Sequence, residues 1–390
     1  MTHETKNVPE LRFPEFNEEW EEKELGDISE KVKIKNTENK YTETFTNSAE
    51  YGIVSQREFF DKDISNKKNL YNYYIVKNDD FVYNPRISNY APVGPINRNK
   101  LGKTGVMSPL YTVFKIIQCD KSFMEFYFKT TKWHKFMKLN GDSGARSDRF
   151  TIKNTLFNKM PIFMPLEIEQ QKIGDFFSKL DHQIYLEEQK LEQLEAQKKG
   201  YMQKIFSQEL RFKDDNGNDY PEWEERNFSD IFKVVSTKNH QIKSSEVLNE
   251  GSIPVVDQGQ KKFLGYSDEK DKVIDNFHNI IVYGDHTTIV KYIDEPFIIG
   301  GDGVKLVTNK FESNLIYLYD LLQYFNVKPE GYKRHFSILK RKNMYLSNDL
   351  EEQQKIGDFF NDFDNLIEKQ SQKIDLLKQR KQGFLQKMFV

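Results

Sequence analysis

The chain has 390 residues, room for two or three domains of ordinary size. Its 58 basic and 60 acidic residues leave a net charge of −2, which excludes a globally basic nucleic-acid binder and confines any phosphate contact to local clusters. One cysteine, Cys119, excludes internal disulfides and cysteine-built zinc sites; with no signal-peptide core at the start and no run of about 18 apolar residues, the chain is expected in the cytoplasm.

Residues 1–165 read as short β-like runs punctuated by Gly, Pro and Asn. Three runs end in polar loops: Ile53-Val54-Ser55-Gln56, Phe81-Val82-Tyr83 leading to Asn84-Pro85-Arg86, and Val106-Met107-Ser108-Pro109. Loops held at strand ends by a rigid core are where recognition side chains sit, and Gln, Asn and Arg match base edges; Asn and Gly are also ordinary turn residues. Late in the block Lys129, Lys132, Lys135, Lys138, Arg146, Arg149, Lys153 and Lys159 stand against only Asp142 and Asp148. Trp133 and Phe136, inside this cluster, have helix-like spacing and read as core.

Residues 166–207 read as one long helix. Apolar residues at Ile173, Phe177, Leu180, Ile184, Leu191 and Leu194 step by threes and fours, the seam of a coiled coil, on a background of Glu, Gln and Lys. Residues 208–347 form a second variable block with matching landmarks. Val255-Val256-Asp257-Gln258, Ile281-Val282-Tyr283-Gly284-Asp285-His286 and Gly301-Asp302-Gly303-Val304 repeat the strand-then-loop pattern, and Lys328, Lys333, Arg334, Lys340, Arg341 and Lys342 gather against Glu330. Tyr332 and Phe336 read as core like their counterparts. Residues 348–390 form a second long helix with the seam Ile356, Phe360, Phe363, Ile367, Ile374 and Leu377.

The two helices are copies. Glu-Gln-Gln-Lys-Ile-Gly-Asp-Phe-Phe runs from Glu169 and again from Glu352, an offset of 183 residues, and the match continues through Asp181 with Asp364 and Gly200 with Gly383. Glu187 and Gln370 interrupt the two seams at equivalent positions. Glu10-Leu11-Arg12-Phe13 and Trp20-Glu21-Glu22 recur as Glu209-Leu210-Arg211-Phe212 and Trp223-Glu224-Glu225. Each helix has a single seam and the seams match, so they are expected to bury one another. The expected fold is α+β: two mixed α/β recognition domains joined by two long, repeated, antiparallel coiled-coil helices with pseudo-twofold symmetry. At 1.5 Å per residue each helix would span roughly 55–60 Å.

No catalytic motif is complete. Gly102-Lys103-Thr104 ends like a phosphate-binding loop, but that loop needs glycine at the position of Asn97. Asn84-Pro85-Arg86-Ile87 lacks the second proline and the aromatic of adenine methyltransferases. No glycine-rich loop suits S-adenosylmethionine, and the seven histidines include no metal-binding pair. Asp285-His286 near Asp302 fits loop structure or DNA contact better than acid–base work. The residues best placed for base or phosphate contact are Gln56, Arg57, Asn84, Arg86, Arg146 and Arg149 in the first block, and Gln258, His286, Lys333 and Arg334 in the second.

Taken together, Pro165-Leu166 leading into Glu169-Gln170-Gln171-Lys172-Ile173-Gly174, its copy at Glu352, the Trp-Glu-Glu openings, and Val282-Tyr283-Gly284-Asp285-His286-Thr287 followed by Gly300-Gly301-Asp302-Gly303 mark a resemblance. Over essentially its whole length the chain resembles the specificity subunit of a type I restriction–modification system. The resemblance implies target-recognition domains at 1–165 and 208–347, each reading half of a bipartite, asymmetric site in double-stranded DNA. It implies spacer helices at 166–207 and 348–390 that dock two methyltransferase subunits, and two motor–nuclease (restriction) subunits that can join. The chain itself would be non-catalytic and hold no cofactor or metal: S-adenosylmethionine belongs to the methyltransferase, ATP and Mg to the restriction partner, and no membrane is involved. The second block lacks a counterpart of comparable length to Lys129–Gly141. The competing expectation is a coiled-coil scaffold carrying two non-DNA interaction domains.

Overall fold

The computed structural model describes residues 7–60, 67–142, 148–331 and 333–390. Contacts divide the chain into two units, Met1–Glu187 with Lys373–Val390, and Glu188–Gln372. The division cuts each long helix within its length, so each unit owns the head of one helix and the tail of the other.

Each unit is built on a four-stranded antiparallel sheet of the same order. In the first unit the order is Ser29–Lys31, Thr112–Ile116, Phe81–Tyr83, Ile96–Arg98; in the second it is Phe232–Val235, Val304–Asn309, Ile281–Gly284, Val290–Tyr292. Alternation along the inner strand divides the core. Phe81 and Tyr83 face one apolar cluster and Val82 another; Ile281 and Tyr283 face one and Val282 another. Both faces are covered, which is why these strands read as unbroken apolar runs. A shorter antiparallel pair accompanies each sheet: Glu21–Glu24 with Pro161–Met164, and Glu224–Asn227 with Asn343–Leu346.

The second layer differs between the units. The first has the hairpin Phe45–Ser48 with Gly52–Ser55 and the pair Tyr74–Val76 with Gly105–Met107. The second has a mixed sheet in the order Gln241–Ile242, Ile298–Gly300, Ile253–Val256, Gly265–Ser267, whose first two pairings are parallel.

The repeated motif is explained by what its side chains touch. The helices span Glu167–Phe206 and Leu350–Lys387. Glu169, fully buried, accepts two bonds of 2.7 Å from Arg12; Glu352, also fully buried, is held by Arg211 at 3.1 Å. The Glu-Leu-Arg-Phe echo is therefore the other half of the Glu-Gln-Gln motif. Gln170 accepts from Asp120 N–H and donates to Pro165 O; Gln353 accepts from Asn314 N–H and donates to Ser347 O. Asp120 and Asn314 cap the helices Lys121–Tyr127 and Leu315–Tyr324, so each glutamine stitches the long helix to the start of a domain helix. Those starts press on the motif glycine: a Cβ on Gly174 would lie 2.8 Å from Asp120 Oδ1, and one on Gly357 2.9 Å from Asn314 Oδ1.

Within each unit the helix segments run antiparallel and share a seam. Lys381 pairs with Asp181 and Lys373 with Glu187 in the first unit; Lys198 pairs with Asp364 and Tyr201 packs edge-on against Phe359 in the second. Ile173, Phe177, Ile184, Ile356, Phe360, Ile374 and Leu377 are buried, and Leu180, Leu191, Leu194, Phe363 and Ile367 are half-buried. The interruption at Glu187, in the first unit, is half-buried and that at Gln370, in the second, is buried.

Candidate nucleic-acid interface

In the first unit the chain leaves the strand Phe81–Tyr83 through Asn84. Asn84 donates to Asn47 O at 2.8 Å and accepts from Arg86 N–H at 3.0 Å, a local turn that turns Arg86 outward. The segment 148–150 is tied alongside: Ile87 N–H reaches Asp148 O at 2.9 Å, Phe150 N–H reaches Pro85 O at 2.7 Å, and Arg86 and Arg149 face each other across an antiparallel bridge. Both arginines are exposed. Buried Asn47 anchors the turn by donating to Val82 O and accepting from Asn97. Thr46, Asn47, Ser48, Phe59, Asn84 and Arg86 line one concave surface here.

Gln56 opens the short helix Gln56–Phe60 and donates to Phe45 O at 3.2 Å, so its amide is engaged with the hairpin, while Arg57 is exposed beside it. Arg146 and Tyr332 lie outside the described residues. Tyr51 and Tyr90 on turns, and Phe59 on the short helix, which the sequence did not single out, expose 60%, 76% and 41% of their surface. The signal for the two tyrosines was an aromatic within a run of polar turn residues.

The second unit builds the equivalent place with other side chains. Gly284-Asp285-His286 leaves the strand Ile281–Gly284 where Asn84-Pro85-Arg86 leaves its own, and His335 N–H binds Asp285 O at 2.8 Å where Phe150 binds Pro85. By these backbone bonds His286 corresponds to Arg86, and Arg334 to Arg149. Gln258 is engaged at both ends, donating to Asp302 O at 3.2 Å and accepting from His286 N–H at 3.1 Å. Gly303, at φ +85, leaves room for it: a Cβ there would come within 2.5 Å of the Gln258 amide. Buried Lys291 donates to Asp257 O and Lys261 O, closing the loop beneath Gln258; burial lowers its pKa. His286 Nδ1 donates to Lys333 O at 3.1 Å, which brings the basic segment against the strand end. Lys333 pairs with Glu330 at 3.0 Å, and both Lys333 and Arg334 are exposed.

The charge clusters separate into structural and solvent-facing members. Lys129 pairs with Glu125 and Asp181, and Lys342 donates to Asn326 O. Lys132, Lys135, Lys138, Lys153 and Lys159 are exposed, as are Lys328 and Arg341. Trp133 and Phe336 are core residues at 2% and 6% exposure. The first unit carries the helix His134–Asn140 in its basic segment, and the second has only the single turn Phe336–Leu339.

Lys103 is held by Glu43 and Glu58, not presented as a phosphate-loop lysine. The buried Asp285 carboxylate accepts from Phe336 N–H at 3.0 Å. Among the described residues no cluster of three His, Cys, Asp or Glu could hold a metal, and no helix is long and apolar enough to cross a membrane.

This arrangement has counterparts among known proteins. The family model described as type I restriction modification DNA specificity domain matches twice, over residues 17–196 and 220–379. The fold is similar to the type I restriction–modification S subunit of M. genitalium, with TM-score 0.58 and 15% identity over 98% of this chain and 99% of that one. It is also similar to a chain from a structural study of complex assembly and conformational transition in the type I R-M system, with TM-score 0.51 and 13% identity over 95% and 97% of the two chains.

Proposed function

The chain belongs to the type I restriction modification DNA specificity family, and from that premise we propose that it reads a bipartite, asymmetric DNA site, one half with each unit, and directs partner subunits to it. The observation that carries this reading is the pair of strand ends. Both units use the same sheet and the same backbone ties to present a loop with a basic segment beside it. One presents Arg86 and Arg149, the other His286, Lys333 and Arg334. Equal scaffolds with unequal side chains suit two half-sites of different sequence.

The division of roles follows from chemistry. The exposed guanidinium groups of Arg86, Arg149 and Arg334 at the strand ends match the acceptors of base edges in the major groove, with half-buried His286 beside them. Exposed Lys132, Lys135, Lys138, Lys153 and Lys159 match phosphates, which position without specifying. Gln56, Asn84 and Gln258 hold the loops from which the readers project. Adenine methylation and cleavage fall to partners: two methyltransferase subunits holding S-adenosylmethionine, and two restriction subunits using ATP and Mg. The related chain studied for type I R-M assembly supports such partners here. The long helices are their docking surface and fix the unread gap.

The test is DNA binding by the chain assembled with its methyltransferase, measured against salt. Affinity should fall steeply with salt, and Lys132→Ala, Lys135→Ala or Lys138→Ala should each lessen the slope by about one while lowering affinity for all sequences alike. Association that is absent or independent of salt would contradict the reading and favour a protein-binding scaffold.

A further inference from the structure

His335 has no role among the readers. Its ring is 1% exposed, packed between the exit of the strand Ile281–Gly284 and the basic segment. Nε2 accepts from Glu330 N–H at 2.9 Å. A nitrogen that accepts carries no proton, so the neutral ring keeps its proton on Nδ1, which points at Asp285 O, 3.1 Å away. Asp285 in turn takes the backbone N–H of His335, and through Oδ1 that of Phe336, and gives its own N–H to Gly303 O at 2.7 Å. Three loops that the sequence marks separately, at Asp285, at Gly301-Asp302-Gly303 and at Glu330 to Arg334, therefore meet at one buried junction. The backbone bond from residue 335 to residue 285 fixes where the chain passes; the imidazole reaches on to the Glu330 backbone and, with the His286 bond to Lys333 O, sets where Lys333 and Arg334 lie.

The first unit makes the backbone bond without the ring. Phe150 stands where His335 stands and binds Pro85 O, but its side chain has nothing to donate or accept. The ring-to-loop bond thus belongs to one unit alone.

Resting on the reading of this unit as a half-site reader, we propose that His335 is its positioning residue: the buried imidazole, accepting from Glu330, holds Lys333 and Arg334 in register with His286 and so sets base discrimination at the second half-site. His335 itself touches no DNA.

Two substitutions of similar size split the ring's two functions. His335→Gln can place an oxygen where Nε2 accepts; His335→Asn can place an N–H where Nδ1 donates but cannot reach Glu330. The assembled methyltransferase complex is assayed on DNA duplexes with single base changes in either half-site. His335→Gln should retain discrimination. His335→Asn should weaken it roughly five- to hundred-fold at one or more base pairs of the second half-site, the range of a lost base contact, and leave the first unchanged. Glu330→Pro, which deletes the donated N–H together with the Lys333 ion pair, should loosen the same half-site more than Glu330→Gln, which removes the ion pair alone. Equal behaviour of the Asn and Gln variants of His335, or equal change at both half-sites, would overturn the proposal. A wild-type complex that discriminates at neither half-site would overturn the DNA reading itself, and the proposal with it.

Discussion

Glu352 and Glu169 occupy the same place in the repeat but carry unequal duties. Glu352 accepts from both Arg211 and Trp223 Nε1, whereas Glu169 accepts from Arg12 while the Trp20 indole N–H is buried with no partner among the described residues. Glu352→Ala strands the buried Trp223 N–H and leaves half-buried Arg211 with only Pro221 O, and should cost about 3–5 kcal/mol in denaturant unfolding; Glu169→Ala, which deprives Arg12 alone, should cost less. Equal losses would show that the two sites are not loaded differently. Asp320 offers a test with a sign. Burial pushes its carboxyl up to about 8, its Oδ2 has no partner among the described residues, and Lys198 lies 3.5 Å from Oδ1. The folded chain thus keeps a proton that the unfolded chain releases near pH 4. With more protons bound when folded, this group makes stability fall as pH rises from about 4 to about 8. Asp320→Asn removes that dependence: it should raise stability at pH 8 and leave it nearly unchanged at pH 4. Unfolding midpoints lowered equally at both pH values would refute the assignment. At this scale the sequence was legible for bulk and opaque for partners. Trp133 and Phe336 were readable as core from spacing. Nothing in the sequence shows that the Gln258 amide is taken up by Asp302 and His286, or that His335, in a basic run, is buried and holds a loop. Hydrogen-bond partners far apart in sequence leave no local pattern.

The long helices were the most legible elements, because a seam sustained over some forty residues and then duplicated points to a single architecture. The side-chain contacts add why the repeat is this repeat. Glu169, Gln170 and Gly174 are the points where helix, terminal arm and domain helix meet, and Lys198 with Asp364 and Lys381 with Asp181 are copies of one ion pair set into an apolar seam. Charged pairs in a seam fix register. The glycines give a contrast within single helices. A Cβ at Gly200 or Gly383 would meet nothing within 4 Å, so Gly200→Ala and Gly383→Ala should each raise stability by about 0.5–1 kcal/mol. Gly174→Ala and Gly357→Ala force a methyl into a capped helix start and should each lower it by about 1–3 kcal/mol. Thermal unfolding of the four variants decides; one common sign for all four would contradict the packing described. The second layer of each unit was illegible for the opposite reason. Its strands are two to four residues long, and the parallel pairing of Gln241–Ile242 with Ile298–Gly300 joins segments too distant for any local signal. Even so, the landmarks at 53–56 and 81–86, and at 255–258 and 281–286, do fall on strands whose ends carry the candidate interface.

For the whole molecule, the proposed function assigns two unlike readers to one duplicated sequence frame. Exchange of residues 1–165 for the corresponding block of a family member should change the recognised bases of one half-site and leave the other half and the gap intact, as read from the methylated sequence. A change in both halves would show that the blocks do not read independently. Lengthening both long helices in step should alter the gap and neither half. A chain with net charge −2 has to concentrate any phosphate contacts, and the basic segments read from the sequence do carry exposed lysines and arginines. The decisive measurement is a map of adenine methylation in DNA from cells expressing the chain with its methyltransferase partner. A split reader on a fixed frame should give a split motif with a constant unread gap that disappears when this chain is omitted. An assembled complex that leaves no such motif, or a motif that persists without the chain, would contradict it.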